Sequence, residues 1–157
     1  MNPRILHTLT RLAIDSKGVA NGRVRMAAGL FYKKQLIATG VNQLKTHPIM
    51  LGEGYRQGQL YMHAEADAIR TALKYISREQ LRKCSLHIVR VKRPHIGAKT
   101  WIHGLAKPCP GCAQTIANYG ITDVHWTMDD QNKEPLYDQN GKRRTKRTDG
   151  CRSTAMA

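Results

Sequence analysis

The sequence predicts a layered α/β domain built on a mixed sheet. Helical and strand-like periodicities alternate along the chain, and two early strand patterns are separated by a turn short enough for a hairpin. Later strand patterns are separated by helical segments. A hairpin is antiparallel, whereas strands joined through a crossover helix run parallel, so the sheet should contain both arrangements. The 157 residues are enough for one domain with a real core.

The first half of the chain predicts a helix, a hairpin and a second helix. Apolar residues recur at helical spacing over 4–16. Alternation over 23–32 and the apolar run 36–41 predict the two strands of the hairpin. A long glycine-containing loop, 42–59, precedes the segment "YMHAEADAIRTALKY", residues 61–75, which has the pattern of an amphipathic helix.

The second half predicts a strand, a helix and a strand. Residues 84–91 are dense in apolar and β-branched side chains and fit a buried strand, and a second long loop covers 92–107. The helix predicted over 110–119 has a proline at its first position and a glycine just past its end. A further strand is expected over 121–127, so the folded domain should comprise residues 1–130. Residues 131–157 lack apolar periodicity and predict a basic, flexible tail.

The charge balance favours contact with polyanions. The chain carries 26 Lys and Arg against 11 Asp and Glu, a formal net charge of +15. Such a surface attracts nucleic acid or small phosphates, although it also serves solubility alone. No apolar run approaches the roughly 20 residues of a membrane span, and the N-terminus lacks the apolar centre of a signal peptide. We therefore expect a cytoplasmic protein without a membrane partner.

Two cysteines and one histidine form a candidate metal site. Cys109 and Cys112 lie at positions i and i+3 of one helix start, where the helix dipole favours thiolates. His63 lies at the start of the other long helix, and crossover helices on one side of a parallel sheet begin at the same edge. Three protein ligands are typical of catalytic zinc, whereas structural zinc usually has four. A redox CxxC or a coincidental pair is the alternative for the cysteines.

Other side chains near this pattern have two interpretations. Glu65, two residues after His63, fits a general base beside the metal, or simply a favourable charge at a helix N-terminus worth about 0.3–1 kcal/mol. A fourth ligand would have to come from residues for which ordinary surface or core roles are the stronger expectation: Cys84, His47, His95 and His103.

The motifs "HAE" (63–65) and "PCPGC" (108–112) resemble the two signatures of the zinc-dependent cytidine and deoxycytidylate deaminase superfamily. The resemblance covers roughly residues 24–127 and implies a three-layer α-β-α cytidine deaminase-like domain with a mixed sheet of four to five strands. It implies that Zn²⁺ held by His63, Cys109 and Cys112 activates a water that attacks C4 of a cytosine. It also implies that Glu65 shuttles the protons and assists the departure of ammonia.

The resemblance further suggests substrate contacts. An asparagine after the second strand often binds the sugar in this superfamily, and Asn42 occupies that place, although a simple turn residue would also fit. Ala64 and Pro108, which belong to the two motifs, are expected to line the substrate site. Phosphate-binding groups are expected from the loop after Asn42, and the candidates there are Lys45, His47 and Arg56.

Two features depart from the superfamily pattern. A long basic insert, 92–107, separates the strand from "PCPGC", whereas many members run almost directly from strand to motif. Trp101 within it could stack on a nucleic-acid base or pack the insert down. No convincing helix and strand follow residue 127 to supply the usual last strand.

Three functions remain open at this point. The favoured one is deamination of a cytosine-containing nucleotide such as dCMP, because "HAEADAI" and the glycine-rich loop 46–60 most resemble deoxycytidylate deaminases. The second is deamination of cytosine or adenine in single-stranded DNA or RNA, which the charge and the insert favour. The third is a catalytically inactive, zinc-stabilised nucleic-acid-binding protein, against which the presence of Glu65 argues. Guanine and adenine deaminases share the metal set, and the oligomeric state is not readable.

Overall fold

The computed structural model describes residues 1–20, 22–51, 55 and 61–129. A short 3₁₀ turn covers Pro48–Met50. The helices and strands follow in the order α1 (Pro3–Asp15), β1 (Arg25–Tyr32), β2 (Gln35–Val41), α2 (Ala64–Ala72), α3 (Arg78–Leu81), β3 (Ser85–Lys92), β4 (Ile102–Gly104), α4 (Pro110–Asn118) and β5 (Asp123–Trp126).

The five strands form one mixed sheet, as the sequence predicted. β1 pairs antiparallel with β2 on one side and with β3 on the other. The first half of β3 pairs in parallel with β5, and its second half pairs antiparallel with β4. Because β4 and β5 lie along the same edge of β3, the insert that contains β4 extends the sheet beyond the end of β5.

The sheet lies between two helical layers. Alternate residues of β3 point to opposite faces: Leu86 and Ile88 belong to the core under α2 and α4, whereas Val89 and Val91 belong to the core under α1. The predicted three-layer α-β-α arrangement is therefore confirmed. Among the described residues, every helix is too short or too polar to reach across a lipid bilayer.

Two residues fix α2 against the end of β2. A side chain at Gly40 would collide with backbone atoms of Ala64 and Ala68, so the helix lies directly on the strand. The buried carboxylate of Asp67 accepts from Val41 N (3.2 Å) and pairs with Arg70 (2.7 Å). These contacts set the position of the helix N-terminus relative to the sheet edge.

Several element boundaries differ from the prediction. α2 begins at Ala64 rather than at residue 61, because Met62 forms a backbone bridge with Gln43. The helical pattern after Ala72 becomes a turn, and the short helix α3 was not predicted. Its start is a capping box between Ser77 and Gln80, which is a readable sequence signal.

The insert 92–107, predicted as a loop, contains β4 and is fastened to the sheet. Thr127 Oγ1 donates to Gly104 O (2.8 Å) and accepts from Arg90 N (3.2 Å). Asp129 accepts from Leu105 N (3.1 Å) and pairs with Lys92 (2.6 Å). The path of the insert into α4 is therefore set by hydrogen bonds.

Trp101 anchors the insert to the hydrophobic core beneath α1. Its side chain is only 3% exposed and belongs to the core beneath α1, so its ring is not available to stack on a base in this conformation. The predicted tail, 131–157, lies outside the described residues, and the domain boundary at residue 130 stays an expectation.

Candidate active site

His63, Cys109 and Cys112 come together at the starts of α2 and α4. His63 is the N-cap of α2 and Cys109 is the N-cap of α4, with Pro110 at the first helical position. His63 Nδ1 lies 3.4 Å from Cys109 Sγ and 3.3 Å from Cys112 Sγ. Within the described part of the chain, this is the one set of three or more His, Cys, Asp or Glu side chains whose ligand atoms meet, all within 4.8 Å.

This geometry fits a tetrahedral zinc ion. Zn–S and Zn–N bonds of about 2.3 and 2.0–2.1 Å at a tetrahedral angle place a ligand sulfur about 3.5 Å from a ligand nitrogen. The two sulfur–nitrogen distances observed are close to that value. Two sulfurs and one imidazole form a three-ligand set, which is the composition of catalytic rather than structural zinc sites.

The environment of Cys109 favours thiolate, whereas the hydrogen bond with Cys109 and burial raise the pKa of the Cys112 thiol. The thiol of Cys112, the imidazole of His63 and the backbone N–H of Cys112 all stabilise the charged form of Cys109 and lower its pKa to about 4. Cys112 N lies 3.4 Å from Cys109 Sγ, as expected of a donor at a helix N-terminus. Because thiolate is the form that binds metal, this helix start is prepared for a cation.

Glu65 lies in the first turn of α2 and is 2% exposed. Burial raises the pKa of its carboxyl group. Its Oε2 atom is buried and has no hydrogen-bond partner among the described residues. A buried carboxyl oxygen without a partner, beside a group of metal-binding side chains, is a feature of a site that accepts a proton or a ligand rather than of a packed core.

Tyr55 completes this group of side chains and was missed by the sequence prediction. Its hydroxyl lies 3.6 Å from Cys112 Sγ and 2.8 Å from Thr115 Oγ1. Its ring meets the His63 ring edge-on at 5.7 Å and covers Gly111, where a Cβ atom would lie 2.6 Å from it. No sequence signal identifies this tyrosine, because it reaches the site from a long loop.

The candidates for a fourth ligand lie elsewhere. Cys84 is buried before β3, and its thiol donates to Gln80 O at 3.5 Å. His103 is buried on β4 beside Thr10, at 3.0 Å. His47 caps the 3₁₀ turn and His95 is exposed in the insert. None of these histidines and cysteines joins the metal-binding set within the described residues.

The predicted substrate residues lie close in sequence to the metal-binding residues or at the end of β2, next to the start of α2. Asn42 directly follows β2 and is 5% exposed. Its Oδ1 accepts from Met26 N (2.8 Å) and its Nδ2 donates to Val24 O (3.0 Å), so its amide already joins the end of β2 to the start of β1. Ala64 is buried at the first position of α2, and Pro108 is half-buried next to Cys109.

The fold and the site together define a class of protein: an α/β enzyme with a zinc site of the catalytic type at two helix N-termini. Residues 3–128 match the cytidine and deoxycytidylate deaminase zinc-binding region. The chain therefore belongs to this family and is a zinc-dependent hydrolytic deaminase.

Solved structures with a similar fold include the dCMP deaminase of cyanophage S-TIM5. Its apo form is 17% identical and superposes with a TM-score of 0.50, covering 83% of this chain and 88% of that chain. Its complex with dCMP and dUMP is 19% identical, has a TM-score of 0.50 and covers 85% of this chain and 88% of that chain. A guanine deaminase from Bacillus subtilis is 20% identical and has a TM-score of 0.42. The match covers 82% of this chain and 65% of that chain. No curated protein matches the sequence.

Proposed function

We propose that this enzyme hydrolyses the exocyclic amino group of cytosine in a nucleotide such as dCMP, giving the uracil nucleotide and ammonia. The observation that carries the proposal is the buried carboxyl oxygen of Glu65, which finds no hydrogen-bond partner in the described part of the chain and lies beside His63, Cys109 and Cys112. The family supports deamination, and the dCMP deaminase of cyanophage S-TIM5, which has been solved with dCMP and dUMP, supports the choice of nucleotide.

The protein side chains have separate tasks in this proposal. His63, Cys109 and Cys112 hold zinc, which when bound supplies the Lewis acidity that lowers the pKa of a water molecule. Glu65 accepts the proton of the attacking water, delivers it to the ring nitrogen of cytosine and later assists the departing amine. One water is consumed for each ammonia released, as C4–N is replaced by C4=O. Burial raises the pKa of Glu65, which makes its carboxylate a stronger proton acceptor than an exposed carboxylate.

Substrate binding is assigned to the edge of the sheet around the metal-binding residues. We propose that Ala64 and Pro108 line the base pocket and that Asn42 lies at the sugar. Because its side-chain amide is bonded to backbone, Asn42 would contact the sugar through a further hydrogen bond or act by holding the strand end in place. Lys45 and His47 are the proposed phosphate contacts, and Arg56 lies outside the described residues.

A base within single-stranded DNA or RNA is the second candidate substrate. The net charge of +15 favours it, because a polynucleotide is bound largely through its phosphates. Such a strand must present its base unpaired to the site.

The direct test compares substrates on the zinc-loaded protein. Release of ammonia is measured with dCMP, cytidine and a single-stranded oligonucleotide containing cytosine. We expect turnover of dCMP and a loss of at least about 10²-fold in Glu65→Gln, since general acid–base catalysis contributes roughly that much. Glu79→Gln, at an exposed glutamate in α3, is the matched control and should keep full activity.

Two results would change the assignment. Turnover of the oligonucleotide without turnover of dCMP would show that the substrate is a polynucleotide rather than a free nucleotide. Full activity in Glu65→Gln would show that Glu65 is not the general base. No activity on any cytosine compound would exclude cytosine as the reacting nucleobase.

A further inference from the structure

A basic cleft lies between the segment before β1 and the start of the insert. It has a volume of about 480 Å³. One wall is formed by residues 22–25 and the other by residues 92–97. Its lining is dominated by basic side chains, namely Arg23, Arg25, Lys92, Arg93 and His95. Neither the metal ligands nor Glu65 belong to it, so it is separate from the site that carries the chemistry.

The cations of this cleft are held close together by the fold. Arg25 and Arg93 both contact the ring of the buried Trp101, with their guanidinium carbons 4.8 and 5.2 Å from its centroid. Burial and the nearby charge of Arg93 lower the pKa of Arg25. Arg25 also donates to the carbonyls of Gly22 and Ile14, so it cannot turn away from the second guanidinium. The like charges are therefore placed together at an energetic cost.

Few acidic groups offset this charge. Lys92 pairs with Asp129 at 2.6 Å, and Asp15 acts on Arg25 from a distance. Arg23 and Arg93 are exposed, and neither forms an ion pair with a carboxylate among the described residues. Guanidinium groups bind phosphate oxygens through paired hydrogen bonds, so two exposed guanidinium groups in one cleft form a site for phosphate.

The cleft lies at the end of the sheet where β2 and β3 finish, which is also the end where the metal-binding residues lie. β2 and β3 run in the same direction, and their carboxyl ends are at Val41 and Lys92. The start of α2 packs on Gly40 near the end of β2, and Lys92 lines the cleft.

We propose that this cleft binds consecutive phosphate groups of a nucleic-acid strand or of a nucleotide polyphosphate. More than one phosphate is favoured over a monophosphate, because Arg23 and Arg93 lie on the two opposite walls of the cleft and each guanidinium can pair with its own phosphate. This binding is additional to the proposed deamination and does not depend on its substrate. Its test measures binding only.

The experiment compares two variants that each remove two positive charges. Arg23→Gln/Arg93→Gln removes the two exposed guanidinium groups of the cleft. Lys74→Gln/Lys83→Gln removes two exposed lysines that do not line it and serves as the matched control. Binding of a labelled ten-nucleotide single strand without cytosine is measured by fluorescence anisotropy at several salt concentrations, with a nucleoside triphosphate and inorganic phosphate as competitors.

We expect the cleft variant to bind the strand about 10-fold or more weakly and the control to change less than about 2-fold. The slope of log K against log salt should fall by about 1.4 in the cleft variant, because each phosphate contact on a single strand contributes about 0.7. Competition by the triphosphate would show that the cleft also binds nucleotide polyphosphates. If neither the triphosphate nor inorganic phosphate competes, the ligand of the cleft is a nucleic-acid strand. Equal weakening in both variants would overturn the proposal, as would strand binding that neither variant alters.

Discussion

Tyr55 contacts two of the three metal-binding residues and two further residues of α4. Its hydroxyl reaches Cys112 Sγ and Thr115, and its ring packs against His63 and the backbone of Gly111. Hydrogen bonds to ligand atoms fix their orientation and tune their basicity, and their loss typically lowers metal affinity 10–100-fold. We therefore interpret Tyr55 as a positioning residue for a zinc ligand.

Tyr55→Phe should lower zinc affinity by about 10-fold and leave the fold intact. The substitution removes the hydroxyl but keeps the ring that covers His63 and Gly111. Zinc affinity is measured by competition with a chromophoric chelator, and Tyr75→Phe, at a tyrosine that is 70% exposed, serves as the control. Unchanged affinity in Tyr55→Phe would show that its hydrogen bond to the sulfur has no role in metal binding.

Sequence reasoning identified the metal-binding residues but not this tyrosine. His63, Cys109 and Cys112 are recognisable because their spacing is tied to two helix starts, and the sheet then brings those starts together. Tyr55 has no such periodic neighbour, and only the tertiary packing of its loop brings it to α4. Contacts of this type follow from three-dimensional structure rather than from local pattern.

At the level of elements, the close approach of α2 to β2 positions His63 and Glu65. The helix packs on Gly40, and Asp67 bonds to the end of the strand. The N-terminus of α2 therefore has little freedom to move relative to β2.

Gly40→Ala should destabilise the fold by about 1–3 kcal/mol or more, because the added methyl group cannot fit between strand and helix. Zinc binding should weaken with it as the helix start shifts. Urea unfolding of the metal-loaded protein measures the change. Thr39→Ala alters the neighbouring residue, whose side chain points to the other face of the sheet, and should cost less than about 1 kcal/mol. A similar small effect at both positions would contradict the packing described.

The elements also show why some predictions from sequence succeeded and others did not. The proline at the start of α4 and Gly120 after it, which has a φ of 73°, mark both ends of that helix correctly. β4 has three residues, too few for any periodicity, and its existence depends on pairing with Arg90–Lys92. Met62 was assigned to a helix because of its spacing, and its pairing with Gln43 overrides that pattern.

At the scale of the whole molecule, pH changes stability through the buried His87, which stacks on the more exposed His125. His87 on β3 stacks on His125 of β5 at 4.6 Å, and Phe31 packs edge-on against it. Burial and the charge of His125 lower the pKa of His87 to about 4, although Asp123 opposes this. His87 Nδ1 is buried and has no hydrogen-bond partner among the described residues. The folded state therefore holds this imidazole neutral.

Folding stability should fall as the pH decreases from about 6.5, the pKa of an unfolded histidine, to about 4. In this window the unfolded chain binds a proton that the folded protein does not, so acid favours unfolding. His87→Phe should remove about 1–2 kcal/mol of the difference in unfolding free energy between pH 7 and pH 5. Denaturant unfolding of both proteins at the two pH values measures it, and identical pH dependence would contradict a neutral His87.

The fold class was predictable from the sequence because it depends on the order of the longer elements, which periodicity reveals. The choice between nucleotide and polynucleotide was not, because it depends on the shape of the site and on where the surplus positive charge lies. The structure places five of the basic side chains in one cleft, from two segments about 70 residues apart in sequence.

The central claim is that His63, Cys109 and Cys112 hold one zinc ion with one coordination position left open. X-ray absorption at the zinc edge of the purified protein tests it most directly, together with elemental analysis. We predict one zinc per chain, with two sulfur neighbours at about 2.3 Å and two nitrogen or oxygen neighbours at about 2.0–2.1 Å, and one sulfur fewer in Cys109→Ser. A protein without zinc, or a zinc ion with four sulfur neighbours, would contradict the account.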